Sequence, residues 1–317
     1  MNIVLLESLA IGDSVLNTHV EKLVQNGHSF RAFERTTDVP TLIEEAREAD
    51  VIMIANMPLP GEVISACPNL KFIDVAFTGV DHVDLAAAKA KGVAVSNASG
   101  YSNQSVAELV LGMTISLLRN IPQTEKRCRE EGTKDGLVGR ELKGRTVGIV
   151  GYGAIGKKVA EIFHLLGCKV LAYSEPAIEN APDYVTCMGL NELLKESDIV
   201  TLHCPLMEGT KGLINKEKLV LMKEDAILIN CARGPVVDMP ALADALNEGR
   251  IGGAGVDVFE VEPPIKTSHP LLQAKNCLVT PHIAFASKES MMLRADIVFD
   301  SLEKWLGGSQ VNVILPR

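Results

Sequence analysis

The chain has 317 residues, 40 acidic and 31 basic side chains, and a formal net charge of −9. At about 100–200 residues per domain this length predicts two domains, and 47% apolar with 22% charged residues excludes a disordered chain. The negative balance repels phosphate backbones and excludes non-specific nucleic-acid binding. No apolar run reaches the roughly 18 residues of a membrane helix.

The start, Met1-Asn2-Ile3-Val4-Leu5-Leu6-Glu7, reads as a first strand without the basic segment of a secretory leader, so a cytoplasmic protein is expected. Short apolar runs at 2–6, 29–33, 51–55, 72–77 and 93–96 alternate with helical patterns at 16–25, 42–49 and 84–91. Runs without polar alternation predict strands covered on both faces, hence a parallel sheet flanked by helices. The block ends in the turn-rich Asn97-Ala98-Ser99-Gly100. A helical pattern follows over 102–119, with Ser102 and Ser105 as candidate caps, and then a polar, charged segment over 125–143. A second series begins at Thr146, with strands expected at 146–150, 170–173, 199–202, 226–230, 255–259 and 278–280. The chain closes with a helix over 288–306 and a short apolar tail. Seven cysteines, none in a Cys-x-x-Cys pair, sit mostly in apolar runs and predict buried, reduced thiols; clustered metal ligands are lacking, so no metal is expected.

Gly151-Tyr152-Gly153-Ala154-Ile155-Gly156 stands directly after the strand at 146–150 and before a helical pattern at 157–166. Gly151 permits a tight turn, Gly153 lets backbone approach a pyrophosphate, and Gly156 lets helix and strand pack closely. The helix start supplies free N–H groups. Ala154 and Ile155 complete the turn. The next strand ends Ala172-Tyr173-Ser174-Glu175. A carboxylate at this distance accepts ribose hydroxyls. Ser174 or Glu175 takes the discriminating position, and Glu175 would repel a 2′-phosphate, which favours NAD over NADP.

Three later motifs join this turn: Asn230-Cys231-Ala232-Arg233-Gly234, Gly255-Val256-Asp257-Val258-Phe259-Glu260-Val261-Glu262-Pro263, and Thr280-Pro281-His282-Ile283-Ala284. Together with Phe77-Thr78-Gly79-Val80-Asp81 and the stretch 97–108 they resemble the D-isomer-specific 2-hydroxyacid dehydrogenases over nearly the whole chain. The resemblance implies an α/β chain of two Rossmann-like or flavodoxin-like doubly wound parallel-sheet domains with a cleft between them. Residues 1–98 and 284–317 would form the substrate domain, and 99–283 the NAD-binding domain. It implies Arg233 as the anchor of a 2-oxo acid, whose carboxylate and keto oxygens a planar guanidinium matches. His282 would be the acid–base, with Glu262 its carboxylate partner. Phe77, Thr78 and Gly79 would meet the substrate carboxylate. Ser102 and Val106 would lie near the nicotinamide, and His203, Cys204, Pro205 and Thr210 on the adenine side, with Cys231 and Ala232 also at the cofactor. Asp257 would contact the nicotinamide carboxamide or, equally, cap a turn at its strand end. A homodimer through 102–140 is also implied.

Glu262 beside His282 departs from the formate dehydrogenases, where glutamine is expected. The length leaves no room for the regulatory domain of longer phosphoglycerate dehydrogenases. Phe285, bulky where many relatives are small, resembles the hydroxypyruvate reductase (glycerate dehydrogenase) branch and favours a short acid such as hydroxypyruvate or glyoxylate. The alternatives are an unregulated phosphoglycerate dehydrogenase and a non-enzymic NAD-sensing protein like the corepressors of this fold, which carry tails not found here.

Overall fold

The computed structural model describes residues 1–261 and 263–317. Glu262 lies outside the described residues. In chain order the elements are β1 (Asn2–Leu5), α1 (Asp13–Gln25), β2 (Ser29–Ala32), α2 (Val39–Ala46), β3 (Val51–Ile54), α3 (Gly61–Ala66), β4 (Phe72–Val75), α4 (Leu85–Lys91), β5 (Ala94–Asn97), α5 (Asn103–Leu118) and α6 (Ile121–Arg129). Then follow β6 (Thr146–Val150), α7 (Ala154–Leu165), β7 (Lys169–Tyr173), β8 (Val185–Cys187), α8 (Leu190–Glu196), β9 (Ile199–Leu202), α9 (Lys216–Leu221), β10 (Ile227–Asn230), α10 (Met239–Asn247), β11 (Gly253–Val256), β12 (Cys277–Val279), α11 (Lys288–Leu306) and β13 (Val313–Leu315). They form two compact units, Met1–Ser102 with Ala286–Arg317, and Asn103–Phe285.

The first unit carries a six-stranded sheet in the order β13-β5-β4-β3-β1-β2. Its β1 to β5 are parallel, and the chain order reverses between β1 and β3, where ligands of doubly wound sheets gather. Buried Glu7, just after β1, bridges this point: its carboxylate accepts the N–H groups of Ala55 and Met57 beyond β3 at 2.8 and 2.7 Å. The sheet is parallel, as expected, except at one edge. The apolar tail becomes β13 and pairs antiparallel with β5. Helix α11 starts on a capping box between Ser287 and Ser290 and buries Val298, Phe299, Leu302 and Trp305 against the sheet. Trp305 stacks on Phe72 with ring centroids 4.6 Å apart. Each such side chain contributes roughly 1.5–3 kcal/mol by leaving water.

The second unit carries a seven-stranded parallel sheet, β12-β11-β10-β9-β6-β7-β8. Its central strands β6, β9, β10 and β11 are buried on both faces, and alternate residues feed two cores. Val147, Ile149, Ile199, Ile227 and Ile229 pack with α5 and α7, while Val150, Val200, Leu202 and Leu228 pack with α8 to α10. Some local expectations shift. Helix α7 begins at Ala154, three residues before the expected start, and β11 occupies Gly253–Val256 instead of 255–259. The front of the polar segment folds as α6, and Ser105 falls inside α5, where its hydroxyl meets the Phe285 carbonyl at 3.4 Å. All seven cysteines are free thiols. Cys128 and Cys187 are exposed, against the expectation of burial. Among the described residues no helix is long and apolar enough to cross a membrane, and no cluster of three or more His, Cys, Asp or Glu is placed to hold a metal ion.

Candidate active site in the second unit

The glycine turn lies where the strand order reverses between β6 and β9. Gly151 adopts φ +97°, and a Cβ there would stand 2.5 Å from the backbone of His203 and Cys204. Glycine is therefore required both for its backbone angle and for the approach of the loop after β9. A Cβ on Gly156 would lie 2.2 Å from the Gly151 carbonyl oxygen, so the first turn of α7 sits directly on the strand end. At Gly153 a Cβ would meet nothing within 4 Å, so this face of the turn is open. Gly153 caps α7 without a side chain, which leaves the first N–H groups of the helix available to an anion.

Beside the turn is a cavity of about 280 Å³, lined among others by Gly151, Gly153, Tyr173, Ser174, Glu175, His203, Cys204, Pro205 and Thr210. Glycine backbone at one end and a carboxylate at the other fit the pyrophosphate and ribose of a dinucleotide. The Tyr173 hydroxyl donates to Glu175 Oε1 at 2.5 Å. This bond, with burial, pushes the phenol up to about 12. Thr210 closes the 205–210 loop, donating to the Pro205 carbonyl at 2.6 Å and accepting the Met207 N–H at 2.8 Å. His203 holds Thr201 Oγ1 at 2.9 Å through Nε2, and enclosure of the ring pushes its pKa down to about 3, so the imidazole is neutral.

Arg233, Asp257 and His282 follow β10, β11 and β12, which lie side by side in the sheet. The Arg233 turn is stapled by buried Asn230. Its side chain accepts the Ala232 N–H at 3.1 Å and donates to the Arg233 carbonyl at 3.0 Å. A Cβ on Gly234 would stand 1.9 Å from the Phe259 carbonyl oxygen, so the Arg233 loop rests on the chain that follows β11. The arginine is half-buried, and its Nη1 donates to the Ala232 carbonyl at 2.8 Å.

His282 has φ +58° on a non-glycine residue, and Asp257 holds that turn in place. The fully buried carboxylate accepts Thr280 Oγ1 at 2.6 Å and the N–H groups of Ile283 and Ala284, both at 2.8 Å. The Asp257 carbonyl accepts the His282 N–H at 2.8 Å. Of the two roles open to Asp257, the turn-capping contacts are thus made. The Phe285 ring stands edge-on to the imidazole at 5.3 Å. Asn230 acts by orienting backbone, which motif spacing did not reveal; its signal was a polar residue closing an apolar strand run.

Other expected site residues are not part of this cavity's lining. The Cys231 thiol turns into the core, 4.0 Å from Met113 Sδ, so it does not line the cavity. Val106 is likewise buried in that core. Burial raises the Cys231 thiol far above its usual range and the Cys204 thiol to about 11, which leaves both as poor nucleophiles. Phe77, Thr78, Gly79 and Ser102 belong to the first unit. There the Thr78 carbonyl accepts Asn97 Nδ2 at 2.6 Å, and Thr78 Oγ1 lies 3.5 Å from Ser102 Oγ. The role expected of Glu262 falls on a residue outside the described ones.

Residues 111–284 match the profile of the D-isomer specific 2-hydroxyacid dehydrogenase NAD binding domain. The chain is 40% identical over 294 residues to a hydroxypyruvate reductase of Blautia hydrogenotrophica, covering 89% of this chain and 90% of the relative. It is 40% identical over 296 residues to a glycerate dehydrogenase of Methylorubrum extorquens, covering 90% and 92%. Among solved structures it resembles a D-lactate dehydrogenase of Aquifex aeolicus complexed with NAD and lactic acid, with TM-score 0.87, 30% identity and full coverage of both chains.

Proposed function

Since the chain belongs to the D-isomer-specific 2-hydroxyacid dehydrogenases and is NAD-dependent, we propose that it reduces a short 2-oxo acid, hydroxypyruvate or glyoxylate first, to the D-2-hydroxy acid. The observation that carries the site assignment is the row of Arg233, Asp257 and His282 beyond three adjacent parallel strands of the sheet that bears the glycine turn. Ligands of open α/β sheets bind at such strand ends.

The 151–156 turn and the cavity beside it would hold NAD, which when bound would supply or accept the hydride. Arg233 presents a planar fork of donors. It binds the substrate carboxylate and keto oxygen together, which orients the acid and polarises the carbonyl. His282 gives its proton to the oxygen that becomes the hydroxyl, and takes one back in the reverse direction. Glu262 is the proposed carboxylate partner of that imidazole. Loop 77–79 would contribute backbone N–H groups to the carboxylate, and Phe285 would limit the acid to a short side chain. Ser102 and Ala232 are proposed cofactor contacts, as are Ala154 and Ile155 at the helix start. A homodimer through 102–140 is supported by exposed Ile115, Ile121 and Val138, and we assign the enzyme to the cytoplasm.

The test is an initial-rate screen of hydroxypyruvate, glyoxylate, pyruvate and phosphohydroxypyruvate with both reduced nicotinamides, run on the parent, His282→Ala and Arg233→Lys. His282→Ala is expected to bind NADH as the parent does while losing a factor on the order of 10² or more in turnover. Arg233→Lys is expected chiefly to raise KM for the acid. Unchanged turnover in the first variant, or an unchanged KM and rate in the second, rejects the assignment.

A further inference from the structure

We propose that Tyr173 is a positioning residue for cofactor choice: its hydroxyl fixes the Glu175 carboxylate at the ribose end of the cavity and so sets the preference for NAD over NADP. The inference rests on the reading of that cavity as the dinucleotide site.

Glu175 is exposed, and an untethered glutamate in water loses appreciable rotamer freedom when it must adopt one geometry for a ligand. Tyr173 removes much of that cost in advance. It is the last residue of β7, half-buried, with its ring packed on the core formed with α8 to α10. Its hydroxyl is therefore a fixed point, and the 2.5 Å bond to Oε1 has the length of a charge-assisted O–H to carboxylate bond. The phenol keeps its proton across the physiological range because the same carboxylate holds its pKa at about 12. The other carboxylate oxygen is left to accept a ribose hydroxyl. Ser174 carries no charge and cannot repel a phosphate. Among the described residues that line the cavity there is no lysine or arginine to accept one. Discrimination against a 2′-phosphate thus falls to Glu175, and its sharpness to the tether.

Dissociation constants for NADH and NADPH, measured by fluorescence titration without substrate, test this in Tyr173→Phe, Glu175→Gln, the double variant and Glu175→Asp. Tyr173→Phe is expected to weaken NADH by about three- to tenfold and to leave NADPH unchanged or tighter. In the Glu175→Gln background the same change is expected to leave the NADH-to-NADPH ratio where it was. Glu175→Asp keeps the charge but shortens the reach to the phenol, so it is expected to reproduce the loss seen in Tyr173→Phe even if that variant folds poorly. An unchanged ratio in Tyr173→Phe overturns the proposal. So does an equal shift with and without Glu175, which would mean the phenol acts by another route. A parent ratio in Glu175→Gln overturns it differently, by showing that the ribose is read elsewhere.

Discussion

Replacing Asp257 by asparagine separates its two possible roles. The carboxylate takes three donors: Thr280 Oγ1 and the Ile283 N–H on Oδ1, and the Ala284 N–H on Oδ2. An amide keeps one oxygen. In its better orientation it retains the first two bonds and turns an NH2 group toward the Ala284 N–H. One buried donor is then left unmet, at about 1–3 kcal/mol. The two surviving bonds lose their charge assistance, for roughly another 1 kcal/mol. A total of about 2–4 kcal/mol, at roughly 2–4 °C per kcal/mol for a unit of this size, lowers the melting temperature by on the order of 10 °C. The assay is calorimetric melting without cofactor, paired with turnover. Turnover is expected to fall at least about tenfold, because the same turn sets the left-handed backbone of His282. If the carboxylate instead served only the nicotinamide carboxamide, melting without cofactor would stay at the parent value and NADH affinity alone would fall. A variant that melts within about 1 °C of the parent refutes the clasp.

Two further perturbations probe other parts of the fold. Gly156→Ala places a methyl 2.2 Å from the Gly151 carbonyl oxygen, so it is expected to displace α7 from the turn and weaken NADH binding by tenfold or more, on the order of 1.4 kcal/mol; parent affinity would contradict the packing described. Asp74, fully buried in β4 with Ser301 its one donor among the described residues, has its carboxyl raised well above the usual range by burial. The folded chain holds that proton at pH values where the unfolded chain, with a pKa near 4, has released it, so stability falls as pH rises through that window. Asp74→Asn escapes the loss, and its melting temperature relative to the parent is expected to climb as pH rises above about 4; a constant difference would refute it.

The α/β alternation and the glycine turn were legible because both rest on local chemistry. A strand covered on two faces must be apolar throughout, and a helix pressed on a strand end needs hydrogen at Gly156. The strand β8 was not legible: two of its three residues are exposed, so no apolar run marks it. Nor was β13, since pairing with β5 is decided by the distant edge it meets and not by its own short tail. Cys231, two residues before Arg233, turns its thiol into the core beside Met113, a direction that the motif does not specify. For Asp257 the motif left two roles open, and the folded chain spends that carboxylate's three hydrogen bonds on the backbone turn and threonine beside His282.

The way β13 closes the first sheet imposes an order on biosynthesis. A ribosome releases residues 1–102 ahead of the second unit, yet the strand that seals β5 and the aromatic ring that covers Phe72 are translated only after that unit. The second unit, continuous from 103 to 285, has all its own strands in hand before that point. Residues 1–102 must therefore wait, with one sheet edge and a ring-sized slot uncovered, while the later unit matures, and nascent chains are open to chaperone capture or mispairing at that edge until β13 has emerged.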